Sequence, residues 1–269
     1  RAIQNLINIE PDDKVMAFIC TQDLKDEEYV NSRYVIMATK KGQVKKTPLE
    51  QYSRPRTNGI NAITIKEGDE LLEAKLTTGD SQVMLAVKSG KAIRFEEEKT
   101  RPMGRNASGV RGIRLADDAD EVVGMIAIND TASEILVVSE NGYGKRSSIE
   151  DYRITNRGGK GVKTISVTDK TGKLVAIKNV IDSDDLMIIN KSGIAIRMAV
   201  DSLRVMGRAT QGVRLIKVRE DDSIAAVAKV MREDDPELDE SLQVADSQNT
   251  PVDVSAAEAT AEQTSTEEE

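Results

Sequence analysis

Two sets of glycines recur through this chain with one period of about fifty residues. Gly42, Gly90, Gly142 and Gly193 are spaced 48, 52 and 51 residues apart, and Gly59, Gly109, Gly161 and Gly212 are spaced 50, 52 and 51. Two separate landmarks that keep one interval define a repeat architecture, and a repeat of this length built from strands reads as a propeller-like array. Each unit then presents the same loop to the same side. A basic loop that recurs becomes a basic track.

The segments between the glycines supply the strands. Buried-type apolar runs, Tyr34-Val35-Ile36-Met37, Val83-Met84-Leu85-Ala86-Val87, Ile135-Leu136-Val137-Val138 and Leu186-Met187-Ile188-Ile189, each lead into one of the first-set glycines. Glycine adopts the positive φ of a tight hairpin turn, and Asn141-Gly142 is the strongest two-residue hairpin signal of the four. The return arms carry cations: Lys45, Lys46, Arg94, Lys145, Arg146 and Arg197. A further apolar strand recurs at Leu71, Val122, Leu174 and Ile224, with 15–20 read as its first copy. The reading is all-β, with about four to five four-stranded blades at 1–54, 55–100, 101–153 and 154–203 and a partial unit at 204–232. Single helical turns are expected at 147–152 and 199–203, and no long helix.

Charge divides the chain. The 269 residues have net charge −8, yet residues from 233 onward contain thirteen acidic and no basic side chains. Residues 1–232 therefore hold all 38 Lys and Arg against 33 Asp and Glu, a net of +5. A basic body with an acidic extension is the asymmetry associated with nucleic-acid partners. The 233–269 segment has too little apolar surface to offset its ordering entropy and is expected to be disordered. Tethered carboxylates there would compete with phosphates for the basic body.

Several chemistries are absent. With no His, Ser-His and Cys-His nucleophile pairs and the commonest metal ligand are excluded. Cys20 sits in an apolar run and reads as a small buried hydrophobe. The pairs Asp12-Asp13, Asp117-Asp118, Asp184-Asp185 and Asp221-Asp222 read as solvated turn residues. Gly158-Gly159-Lys160-Gly161 lacks the ending of a nucleotide-binding loop. No catalytic residue, metal site or cofactor site is expected, and no apolar run is long enough to span a bilayer.

The remaining signal is arginine beside glycine. Arg54, Arg56, Arg101, Arg105, Arg153, Arg157, Lys160, Arg204 and Arg208 lie in the polar stretches before the second-set glycines. Solubility alone does not require matched positions. Backbone N–H groups and a guanidinium beside a glycine can close on one phosphate together. With few aromatics, single-strand stacking is disfavoured, and the expected mode is sequence-tolerant, bend-dependent contact with a phosphate backbone. Two or three cations per blade give about ten phosphate contacts and a log–log salt slope of roughly −9.

At these loops the sequence resembles the C-terminal domain family of the DNA gyrase A protein. The resemblance is carried by Arg54-Pro55-Arg56-Thr57-Asn58-Gly59-Ile60, Arg101-Pro102-Met103-Gly104-Arg105, Glu140-Asn141-Gly142-Tyr143-Gly144-Lys145-Arg146, Asn156-Arg157-Gly158-Gly159-Lys160-Gly161-Val162 and Gly207-Arg208-Ala209-Thr210-Gln211-Gly212-Val213. It implies a β-pinwheel, a propeller relative that exchanges strands between blades, and a non-catalytic DNA-wrapping role that supports ATP-dependent negative supercoiling. It further implies a cytoplasmic, chromosome-associated A2B2 assembly with the rest of gyrase A and with gyrase B, ATP and Mg being held on other domains. The family's signature box, Gln-Arg-Arg-Gly-Gly-Lys-Gly, is matched only in its last five residues by Arg157, Gly158, Gly159, Lys160 and Gly161, in a middle blade. The fragment is therefore expected to lack the first blade and to wrap DNA less completely. The alternatives are the corresponding domain of topoisomerase IV and a protein-binding propeller.

Overall fold

The computed structural model describes residues 13–129, 132–219 and 221–231. The chain divides into two units, Arg1–Val230 and Met231–Glu269, and every described residue except Met231 lies in the first. The acidic 233–269 segment, expected to be disordered, lies outside the described residues.

Strands dominate. In chain order they are β1 (Tyr34–Thr39), β2 (Gln43–Pro48), β3 (Leu71–Thr77), β4 (Gln82–Val87), β5 (Lys91–Glu96), β6 (Val110–Arg111), β7 (Val122–Ile128) and β8 (Glu134–Ser139). They continue with β9 (Tyr143–Ser148), β10 (Val162–Lys163), β11 (Leu174–Val180), β12 (Asp184–Asn190), β13 (Ala195–Ala199), β14 (Val213–Arg214) and β15 (Ile224–Met231). Short 3₁₀ turns follow the hairpins at Leu49–Tyr52, Glu97–Lys99, Ile149–Asp151 and Val200–Ser202. The last two are the single turns expected at 147–152 and 199–203.

The strands form four antiparallel sheets, ordered β3-β1-β2-β6, β7-β4-β5-β10, β11-β8-β9-β14 and β15-β12-β13. Three have four strands and the last has three. The two-residue strands β6, β10 and β14 each leave their own repeat to pair with the hairpin of the sheet before. Each sheet takes a hairpin and the apolar strand after it, so the sheets group residues differently from the units at 1–54, 55–100, 101–153 and 154–203. Residues 204–231 form no fifth sheet. Val213–Arg214 joins the third and Ile224–Met231 the fourth. The expected first strand at 15–20 is irregular chain, and Cys20 there is exposed rather than buried.

Alternation along each hairpin strand explains why the runs are apolar throughout. Val83, Leu85 and Val87 of β4 pack with Ile36, Ala38 and Val44 of the first sheet. Met84 and Ala86 of the same strand pack with Ile135 and Val137 of the third. Leu136 and Val138 then meet Leu186 and Ile188 of the fourth. Successive side chains point to opposite faces, so a strand sandwiched between two sheets must be apolar at every position. With no Trp and two Phe, the core is closed by branched aliphatics, each contributing about 1.5–3 kcal/mol on burial.

The two glycine sets meet at the exchanged strands. The carbonyls of Gly42, Gly90 and Gly142 accept hydrogen bonds from Gly112 N, Thr164 N and Leu215 N, each at 2.8 Å. These donors lie three residues beyond Gly109, Gly161 and Gly212. A Cβ on any of those three glycines would sit 2.5 Å from a carbonyl oxygen of the preceding sheet, that of Val44, Ala92 or Gly144. All three also have positive φ, +86°, +70° and +80°. Gly59, their counterpart in the first repeat, has φ +75° but nothing within 4 Å of its virtual Cβ. Gly161→Ala is therefore expected to lower unfolding stability by at least about 3 kcal/mol, through strain plus a backbone collision. Gly59→Ala should cost only about 1 kcal/mol. Urea unfolding of both variants tests the contrast, and equal losses would contradict it.

Candidate nucleic-acid interface

The cations of the repeat divide into two populations. Five of the six expected on the hairpin return arms are inside. Lys45, Lys46, Arg94, Lys145 and Arg146 are all less than a tenth exposed, so the structure removes them from the expected basic track. The cause is the two-sided burial of the hairpins: these residues sit between sheets, where each charged end must find a partner.

Each finds at least one partner in the next repeat. Lys46 pairs with Glu97 at 3.0 Å, in the 3₁₀ turn after the second hairpin, and lies over the Tyr34 ring at 4.3 Å. Arg94 donates to the carbonyls of Ile149 (2.8 Å) and Tyr152 (3.0 Å) at the third turn, and to Gln82. Arg146 donates to Leu203 O (2.6 Å) at the fourth turn and pairs with Glu134 and Asp182. The backbone repeats the link: Met103 N, Thr155 N and Met206 N donate to the carbonyls of Lys46, Arg94 and Arg146 at 2.8–2.9 Å. In each of the first three hairpins one cation thus rivets two repeats together.

Lys45 and Lys145 are held by carbonyls alone. The Lys45 ammonium donates to Ala62 O (2.6 Å) and Arg105 O, and that of Lys145 to Gly207 O (2.5 Å). Burial pulls each down to about 8, with a smaller contribution from Arg105 at Lys45 and from Arg208 at Lys145. The second and fourth hairpins have Ile93 and Ile196 at this register, three residues past the turn glycine.

The second population lies on the glycine loops. Arg54, Arg56, Arg101, Arg153, Lys160 and Arg204 are exposed. Arg105, Arg157 and Arg208 are half-buried, and each reaches back one repeat to the carbonyl two residues past the preceding glycine. Arg105 donates to Asn61 O (3.2 Å), Arg157 to Arg111 O (3.1 Å) and Arg208 to Lys163 O (2.8 Å). Arg157 also donates to Lys99 O at 2.8 Å. The matched spacing of these arginines therefore has a structural cause. Arg197 is exposed and paired with Asp185 at 2.8 Å. Asp184 and Asp185 lie buried in β12 rather than in a solvated turn.

Further hydrogen bonds join each loop to the next. Thr64 bonds Asn106 O and Ala107 O, Gly158 N bonds Gly112 O, Arg114 N bonds Gly159 O, and Ser166 N bonds Thr210 O. The four loops form one continuous ridge. Arg153 and Lys160 border a depression of about 230 Å³ beside Thr155 and Asn156. The ridge also exposes Arg111, Arg114 and Lys163, which were not among the expected contacts. Their signal was present: the position two past the glycine is Asn61, Arg111, Lys163 and Arg214, polar in all repeats and basic in three.

Strand-exchanged antiparallel sheets in series, with a ridge of cation-bearing loops, define a bladed, propeller-like class of domain. The chain belongs to the DNA gyrase C-terminal domain family, a beta-propeller whose model matches residues 33–78, 82–129, 133–181 and 184–231, one match per sheet. It is 43% identical over 234 residues to the DNA gyrase A protein of Staphylococcus epidermidis and 41% identical over 242 residues to that of Staphylococcus aureus. These alignments cover 87% and 90% of this chain but only 26% and 27% of the relatives. Among solved structures, the C-terminal domain of DNA topoisomerase IV aligns with TM-score 0.81 at 24% identity, over 91% of this chain and 75% of that one. The DNA gyrase A C-terminal domain aligns with TM-score 0.74 at 23% identity, over 86% and 75%.

The buried lysines yield a pH test. Their folded-state value of about 8 lies below the ordinary 10.5, so between these limits the unfolded chain binds more protons and stability gains from rising pH. Urea unfolding from pH 7.5 to 10 should show this contribution in the native sequence and lose it in a Lys45→Met/Lys145→Met variant. An unchanged pH profile in the variant would contradict it.

Proposed function

We propose that this domain binds duplex DNA along the loop ridge and bends it there, as the wrapping module of the gyrase A protein of a type IIA topoisomerase. The observation that carries this is the chain of hydrogen-bonded loops from 54 to 214, which sets exposed cations from successive repeats side by side. Backbone phosphates neutralised in series release counterions and bind with little regard to sequence. The residues assigned to this contact are Arg54, Arg56, Arg101, Arg111, Arg114, Arg153, Lys160, Lys163 and Arg204. The five buried hairpin cations act as rivets that hold the ridge in place.

Identity of 41–43% to the staphylococcal gyrase A proteins supports a gyrase role. In that role the wrap feeds a strand-passage gate elsewhere in the enzyme. Supercoiling, ATP use and assembly with gyrase B belong to that larger protein and enter as part of the proposal.

Removing the buried cations lowers the expected salt dependence. Six to nine phosphate contacts give a slope of about −5 to −8, shallower than the −9 read from the sequence. Arg101→Ala/Arg153→Ala should reduce its magnitude by about 2. Titrating a fluorescent 40-base-pair duplex from 50 to 300 mM salt measures both. A slope near zero, or one unmoved by the double substitution, would overturn the proposal.

A further inference from the structure

One concavity of the third sheet belongs neither to the rivets nor to the ridge contacts assigned above. It measures about 440 Å³ and is lined by Asn141, Tyr143, Lys170, Arg214, Lys217, Val218 and Arg219. Four of these are cations and none is a carboxylate. Among the described residues, none of the four cations forms an ion pair. Tyr143 anchors the floor: its side chain is buried, its hydroxyl accepts from Arg214 Nη2 at 2.9 Å, and Lys170 and Arg214 each lie 5.5 Å from its ring centre. Asn141 fixes the wall by donating to the carbonyls of Asp169 (3.1 Å) and Lys170 (3.2 Å).

The tyrosine floor with all four cations is particular to this sheet. At the same register the first sheet has Lys41, Gln43, Arg111, Arg114 and Ala116, and the second has Ser89, Lys91, Lys163, Ser166 and Thr168, in place of Asn141, Tyr143, Arg214, Lys217 and Arg219; only the third sheet has the tyrosine and a cation at the last position. Repeat geometry alone therefore does not require the cluster. Four like charges around one cavity repel one another, and a multiply charged anion relieves that repulsion at all four. Arg219 offers a fork suited to phosphate oxygens, Arg214 is oriented by donating Nε and Nη2 to the Tyr143 hydroxyl, and lysines add point charges. The Tyr143 ring is already covered by two cations, so it offers no open face to a nucleobase.

We propose that this pocket binds a small polyphosphate, an anion with several linked phosphate groups, through Lys170, Arg214, Lys217 and Arg219. The cavity falls within the size range of small-ligand sites and surrounds a compact anion, whereas a duplex presents its phosphates along a convex surface. The same phosphate chemistry exists in DNA, so the test separates the two sources. Inorganic tripolyphosphate is titrated by calorimetry into the full chain and into Lys170→Ala/Lys217→Ala/Arg219→Ala, at constant ionic strength. One saturable site is expected in the native sequence, with affinity at least tenfold lower in the variant, while affinity for a 40-base-pair duplex changes less than twofold. Absence of saturable binding, equal affinity in the two proteins, or parallel loss of duplex binding would each overturn the proposal. Thermal unfolding of the variant, expected within about 2 °C of the parent, shows whether the exposed substitutions leave the fold intact. If they do not, Lys217→Gln alone is titrated, with a fall in tripolyphosphate affinity supporting the site and an unchanged value overturning it.

Discussion

The fold rests on a two-residue strand that leaves its own repeat. Val110–Arg111, Val162–Lys163 and Val213–Arg214 each complete the sheet before them, and the backbone hydrogen bonds from Gly112, Thr164 and Leu215 to the hairpin-glycine carbonyls lock that exchange. Only glycine fits before each strand, because a Cβ would collide with the carbonyl it must approach. This single contact explains why two glycine sets keep one period. A hairpin glycine and the loop glycine of the following repeat are two halves of one joint.

Charge is organised by the same joint. Burying five cations would be prohibitive without partners, and each has at least one in the neighbouring repeat's turn or loop. Each hairpin therefore depends on the next for its electrostatic satisfaction as well as for its packing. The half-buried arginines at 105, 157 and 208 reach the opposite way, to the repeat before. The ridge is thus held in register by its own guanidinium groups, leaving the outer cations free to meet a ligand.

Much of the architecture was legible in the sequence because β periodicity and glycine geometry are local. Val83 to Val87 announces a strand buried on both faces, and the repeat interval fixes the number of hairpins. Which sheet a two-residue strand joins is not local, so the sheets group residues differently from the sequence units, and the described residues of the partial unit at 204–232 join the third and fourth sheets. The site was legible only in part. Lys45 and Lys145 look like Arg101 and Arg153 in sequence, since both recur beside glycines, yet the former lie between sheets and the latter face solvent. Alternation along the hairpin cannot separate them when every position is buried. Conversely, Arg111 and Lys163 went unread as contacts because they belong to strands whose shortness hides them among loop residues.

The central claim is that location, not charge alone, decides which cations meet DNA. Covalent lysine labelling read by mass spectrometry, with and without a bound 40-base-pair duplex, measures this directly. The account predicts that Lys160 and Lys163 react in the free protein and are shielded by DNA, while Lys45, Lys46 and Lys145 stay unreactive in both states. Ready labelling of Lys45 or Lys145 that DNA suppresses, or labelling of Lys160 and Lys163 that DNA leaves unchanged, would contradict it.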